Sequence, residues 1–153
     1  MSIFEQLFSL KGKRALITGA SSGIGRSIAV CYAEAGATVG VHGTQPHKIA
    51  ETIRQIEEKG GSAVPFVANL GTKEVSETLV DEAAVKLGGI DILVNNAGTN
   101  RRKPAIDVTE DDYKTLMAIN LESIFWLCQA AYPHLCKSDC GKVVNTGSMT
   151  TLT

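Results

Sequence analysis

Residues 18–25 read TGASSGIG, a glycine-rich turn held between an apolar run and a helical pattern. The run before it is RALIT at 14–18. The pattern after it spans 24–35, with Ile24, Ile28, Cys31 and Ala35 on one face. Each glycine answers a different physical demand. Gly19 permits a tight turn, Gly23 lets a pyrophosphate approach the backbone, and Gly25 lets the helix pack close to the strand. Unpaired N–H groups at the start of the helix, backed by its dipole, attract an anion to the same place. A plain strand-to-helix turn is the bland alternative, and the strand–loop–helix setting favours a nucleotide site over it.

The rest of the sequence repeats that unit. TVGVH (38–42), AVPFV (63–67), IDILVN (90–95) and GKVVNTG (141–147) read as further strands. The unbroken apolar character of DILVN suits a strand covered on both faces of a parallel sheet. A helix is predicted over 47–59, where Ile49, Ile53 and Ile56 share a face and Pro46 suits the first turn. Another is predicted over 73–87, with Val75, Leu79, Ala83 and Leu87 four apart and Gly88-Gly89 as its stop. A longer helix over about 109–132 opens on TEDD, in which Thr109 caps and Asp112 returns the bond. Pro133 lies at or near its end. Alternating strands and helices joined by right-handed crossovers make an α/β fold. The expected form is a Rossmann-type doubly wound parallel sheet of about five strands in the order 3-2-1-4-5. With 153 residues and no linker, one dinucleotide-binding domain over 1–153 is expected.

Charge and cysteine content narrow the partners. The 15 basic and 16 acidic residues leave a net charge of -1, without the basic excess that nucleic acid or an anionic membrane requires. The apolar runs are too short to cross a bilayer, and MSIFEQLFSLKGK lacks a signal-peptide pattern, so a cytoplasmic protein is expected. Cys136 and Cys140, with His134 nearby, invite a metal reading. Structural zinc sites gather two close ligand pairs, so no metal is expected, and Cys31, Cys128, Cys136 and Cys140 read as reduced thiols.

TGASSGIG (18–25), NNAG (95–98), IN (119–120) and GSM (147–149), in that order, resemble the short-chain dehydrogenase/reductase family. The resemblance covers essentially the whole chain. It implies an oxidoreductase that moves a hydride between NAD or NADP and a secondary alcohol or ketone. It also implies cofactor contacts at Gly19, Ser21, Ser22, Gly23, Ile24, Gly25, Thr44, Asn69, Leu70, Asn96, Ala97 and Gly98. Ser148 and Asn120 fall in the catalytic set, Ser148 bonding the reacting oxygen and Asn120 holding a relay water. Asn95 would support the central sheet. On the residues alone, Asn95 and Asn96 can equally be satisfying backbone groups at a strand end.

Two cofactor positions depart from the common pattern. An acidic residue about twenty positions past the glycine loop usually holds the ribose 2′-hydroxyl. Here the second strand ends VHGTQ, with Gly43 and Thr44 at that place and no arginine beside them. The reading leans slightly to NADP, with Thr44 and His42 or Gln45 as contacts, and NAD stays open. VANL (67–70) carries Asn69 where the family often has Asp beside the adenine, and an amide oxygen still accepts there.

The family's proton exchange uses a tyrosine with a lysine four residues on, beyond Ser148. Tyr32 lies in the first helix, and neither Tyr113 nor Tyr132 has a lysine at that spacing. The sequence is therefore expected to be the amino-terminal part of a longer reductase, with little turnover alone. A non-catalytic nucleotide-binding or assembly module is the competing class. The stretch TNRRKPAIDVTEDDY (99–113) puts Arg101, Arg102 and Lys103 just past a strand's carboxyl end, where doubly wound folds bind ligands. Arginine suits a carboxylate by bidentate pairing, and a solvated basic loop fits equally well. NNAG followed by RR, with GSM and the lead-in LFSLKGK, looks like the gluconate 5-dehydrogenase and 2-deoxygluconate dehydrogenase branch, which implies a sugar-acid substrate. Reductases of 3-oxoacyl thioesters share the core motifs and compete with that reading. Phe125 and Trp126 read as packing residues. Their helix face is like the one the family uses in tetramers, so a homo-oligomer is expected.

Overall fold

The computed structural model describes residues 7–147. Its strands are β1 (Arg14–Ile17), β2 (Thr38–Gly43), β3 (Ser62–Val67), β4 (Ile92–Asn95) and β5 (Lys142–Asn145). They form one parallel sheet in the order β3-β2-β1-β4-β5, as the sequence pattern implies. The helices are α1 (Gly23–Glu34), α2 (Pro46–Glu58), α3 (Lys73–Leu87), α4 (Glu110–Met117) and α5 (Ser123–Leu135). Among the described residues no helix is long and apolar enough to cross a membrane.

Strand residues alternate between two apolar layers, because successive side chains leave a pleated strand on opposite faces. Ala15, Ile17, Val39, Val41, Ile92 and Val94 meet Ala29, Ala33, Ile49 and Ile56 of α1 and α2. Leu16 and Leu93 meet Leu79, Val80, Ala83, Leu127 and Ala131 of α3 and α5 on the other side. β1, β2 and β4 carry the deeply buried strand side chains, since helices cover both faces of the sheet there. Pro65 lies in β3, which has only β2 beside it, so its missing N–H leaves no ladder partner unmatched.

Two helices differ from the sequence reading. In α1 the buried residues are Gly25, Ala29 and Ala33, whereas Ile24 is 68% exposed and Cys31 is exposed. Small residues win the inner face because this helix must approach the sheet closely where the glycine loop turns. The single helix expected over 109–132 is three pieces: α4, a π-helical turn at Ala118–Glu122, and α5. The capping box at Thr109 and Asp112 is present, and α5 runs through Pro133 to Leu135. A proline in a last turn costs little, because few intrahelical bonds remain there to lose.

The amino ends of the strands are locked by charge. Arg14 and Asp91 pair through Nε–Oδ2 at 2.8 Å and Nη2–Oδ1 at 2.9 Å, and the Arg14 N–H also donates to Asp91. Ser138 donates to the same carboxylate at 2.6 Å, tying in the turn that leads to β5. Asp91 is 3% exposed, and the Arg14 guanidinium holds its carboxyl well below the usual carboxylate range. Asp91→Asn leaves the Arg14 guanidinium, a third exposed, without its partner, and should cost about 2 kcal/mol near neutral pH, read as a lower urea midpoint. The stabilisation is present above the ordinary carboxylate pKa and is lost as pH falls toward the depressed one, so the two proteins should converge in strong acid.

Candidate functional site

From β1 the chain winds outward in one direction through β2 and β3, and in the other through β4 and β5. That reversal opens a crevice at the carboxyl ends of β1 and β4, where ligands bind in such sheets. The glycine loop leaves β1 at this point, and Asn96, Ala97 and Gly98 leave β4 beside it.

The two loops interlock by backbone contact. Gly19 has φ +64°, and a Cβ there would lie 2.8 Å from Ala97 Cα. A Cβ on Gly25 would lie 2.2 Å from the Gly19 carbonyl oxygen and 2.4 Å from Asn96 Nδ2. Asn96 Nδ2 donates to the carbonyls of Thr18 and Gly19, each at 3.2 Å. Thr18 Oγ1 accepts the N–H groups of Asn96 and Ala97, both at 3.0 Å. Thr18 and Asn96 thus staple the crevice from both walls. The sequence reading gave Thr18 no role beyond its place in the motif.

At the head of α1, Ser22 is the N-cap and makes no side-chain capping bond, and Gly23 has φ +54°. The N–H groups of Gly23, Ile24 and Gly25 have no intrahelical acceptor. Three unpaired donors at a dipole's positive end make an anion cradle, which is the work sequence reasoning assigned to this loop. Ser21 faces β2, where a Cβ on Gly43 would lie 2.7 Å from Ser21 Cβ. Its carbonyl accepts Arg26 Nη2 at 2.6 Å, and Arg26 Nε donates to Thr52 Oγ1 on α2 at 3.0 Å.

His42, offered with Gln45 as an alternative contact beside Thr44 at the ribose, is 2% exposed, and both its ring nitrogens are engaged within the protein. The Gly19 N–H donates to Nδ1 at 3.2 Å, so Nδ1 is unprotonated and Nε2 carries the hydrogen that reaches the Ala68 carbonyl at 3.1 Å. Burial pushes the imidazole down to about 4. Thr44 is exposed in a cavity of about 200 Å³ shared with His42, Ala68, Asn69, Leu70, Ala97 and Gly98. The candidate positions at the ends of β2, β3 and β4 thereby come together.

A second cavity of about 570 Å³ shares the wall Ala97, Gly98 and Thr99, and adds Asn96, Asn120 and Thr146. Asn120 sits in the π-helical turn. Its Oδ1 accepts the Thr99 N–H at 2.8 Å and its Nδ2 donates to the Thr99 carbonyl at 2.9 Å. Thr146 Oγ1 donates to Asn96 Oδ1 at 3.3 Å, which brings the end of β5 to the same place. Asn95 is buried and its Nδ2 donates to Asn145 Oδ1 across β4 and β5 at 2.9 Å, whereas its own Oδ1 has no partner among the described residues. Arg101 and Arg102 are exposed and line neither cavity, although Asn100 before them lines the larger one. Lys103 is held by Asp112 of the capping box. Ser148 lies outside the described residues.

A family model for short chain dehydrogenases matches residues 13–153. The chain belongs to that family. It is 38% identical over 144 residues to 2-dehydro-3-deoxy-D-gluconate 5-dehydrogenase of Escherichia coli, covering 93% of this chain and 56% of that protein. A 3-oxoacyl (acyl-carrier-protein) reductase of Agrobacterium tumefaciens solved with NADP superposes at a TM-score of 0.91, with 34% identity over 99% of this chain and 58% of that one. A 7α-hydroxysteroid dehydrogenase solved with NADH and 7-oxo glycochenodeoxycholic acid gives 0.92 at 34% identity, covering 100% and 59%. The chain thus spans a little over half the length of these relatives.

The buried histidine gives a pH test of this site. The unfolded chain binds a proton near 6.5 that folded His42 refuses until about 4, so stability falls as pH drops through that window. Between about pH 6.5 and 5 this single group should remove about 2 kcal/mol. His42→Asn does not titrate there, and its urea midpoint should change correspondingly less over the same interval.

Proposed function

We propose that the protein containing this chain is an NAD(P)-dependent oxidoreductase acting on a secondary alcohol or ketone. The chain's part is a dinucleotide-binding domain. The observation that carries the reading is the interlock of the glycine loop with Asn96 and Ala97, which leaves space for backbone but none for a Cβ. Unpaired N–H groups at Gly23, Ile24 and Gly25 fit the pyrophosphate. Thr44, Asn69 and Leu70 fit the adenosine side, and Ala97 and Gly98 form the wall between the two cavities. When bound there, the dinucleotide supplies or accepts the hydride.

NADP is favoured at the ribose. No carboxylate stands at Gly43, Thr44 or Gln45 to repel a 2′-phosphate, and Gly43 packs against Ser21 too closely for a side chain. In this reading Ser148 bonds the reacting oxygen. Asn120 spends its amide on Thr99, so its share in a proton relay falls to the backbone of the widened turn. A sugar acid is the favoured substrate class, because Arg101 and Arg102 form no ion pair or hydrogen bond among the described residues and stand beside the larger cavity's rim at Asn100. The outer face of α5 exposes Leu121 just before it, then Phe125 and Tyr132, at helical spacing. That seam supports a homo-oligomer built by helix packing in a cytoplasmic enzyme.

The full-length protein should oxidise hexonate-type sugar acids or reduce their keto forms, followed by nicotinamide absorbance, with NADP preferred over NAD. A 3-oxoacyl thioester belongs in the same panel, since the solved reductase of that class is 34% identical to this chain. Turnover of the thioester alone would replace the sugar-acid reading. Absence of any dinucleotide binding or turnover would instead make the protein a non-catalytic member. Arg102→Ala should lower kcat/KM for the sugar acid roughly tenfold, mainly through KM, as expected for a lost charge-assisted pair. An unchanged KM removes the proposed carboxylate contact.

A further inference from the structure

His42 stands out because the residue is titratable and buried, and yet no catalytic or ligand-contacting role uses it. Its backbone and side chain both hold the glycine loop. The His42 carbonyl accepts the Ala20 N–H at 2.8 Å, and Nδ1 accepts the Gly19 N–H at 3.2 Å. On the far side of the ring, Nε2 donates to Ala68, the residue that follows β3. The imidazole therefore spans from the turn that builds the phosphate cradle to the loop that carries Asn69 and Leu70.

Gly19 and Ala20 have their N–H groups consumed inside the protein, so the donors left for an anion are those of Ser21 and of the head of α1. The ring adds a rigid planar bridge between the cradle and the β3 exit, beside the backbone bonds Ala20–His42 and Ala68–Gly43. We propose that His42 is a positioning residue of the dinucleotide site, a neutral strut that fixes the glycine loop against the adenosine-side wall. The inference rests on the dinucleotide-binding function proposed above.

The two halves of the strut can be removed separately. In the full-length protein, His42→Asn places an amide oxygen where Nδ1 was and keeps the Gly19 bond. His42→Gln places its amide nitrogen near the place of Nε2, keeping the Ala68 bond and losing the acceptor for Gly19. Dissociation constants for NADPH and NADH are read from nicotinamide fluorescence, beside a thermal melt of each variant. His42→Gln should weaken binding roughly tenfold and raise the dinucleotide KM, with kcat at saturating dinucleotide held. His42→Asn should stay within about threefold of wild type. Both variants lose one buried bond and should melt at similarly reduced temperatures, so a merely structural role would weaken the two alike.

Equal affinities in all three proteins, or equal losses in both variants, overturn the proposal. Nitrogen-15 spectra of the wild type near pH 7 test it without any substitution. An unprotonated Nδ1 on His42 supports the strut, and a protonated one overturns it. Wild-type protein that binds neither dinucleotide overturns the function itself, and the positioning role with it, whatever the tautomer.

Discussion

Everything at the carboxyl edge of this sheet depends on one close approach, that of the Gly19–Gly25 turn to Asn96 and Ala97. A Cβ at Gly25 would sit inside the van der Waals envelope of two neighbours, so the loop cannot relax outward and accommodate one. Because the approach is between backbones, its polar groups must be satisfied locally or left facing a ligand. Thr18 and Asn96 satisfy those on the β4 side, and His42 satisfies Gly19 on the β2 side. The donors at Ser21 and at the head of α1 are the remainder. An anion-binding cradle is thus what stays open once the rest of the turn has been paired.

The order of strands and the place of the crevice were readable in the sequence because hydrophobic periodicity and glycine spacing are local signals. Pro46 starting α2, Gly88 stopping α3 and the Thr109–Asp112 box each depend on a few consecutive residues, and each is found. What was not readable depends on partners far along the chain. Ile24 matched the apolar period of α1, yet the inner face belongs to Gly25, Ala29 and Ala33, since the sheet's distance from the helix is set by the loop contact. His42 read as a polar residue near a ribose, because nothing in VHGTQ reveals that Gly19 and Ala68 close on the ring from either side. The π-helical turn was equally hidden, since AINLE has no distinctive composition. Its signature is the Asn120–Thr99 pair across twenty-one positions of sequence. Asn96 shows an intermediate case. Its motif was recognised, and its side chain both ties the carbonyls of Thr18 and Gly19 and lines the larger cavity.

The two ends of the sheet solve opposite electrostatic problems. At the amino ends a charged pair, Arg14 and Asp91, joins β1 and β4 where no ligand is expected, and its full charge costs the site nothing. At the carboxyl ends the corresponding joints are made by Thr18, His42, Asn95, Asn96 and Asn120, all uncharged in this structure. A fixed carboxylate at any of those positions would repel an incoming phosphate at close range. Burial that keeps His42 neutral therefore serves the same end as the choice of amides around it. With these joints neutral, an anion entering the crevice meets the helix dipole, the unpaired N–H groups and the Arg26 guanidinium held on the Ser21 carbonyl. Arg101 and Arg102 stand exposed outside both cavities, where their charge does not distort the backbone contact that holds the cradle in shape.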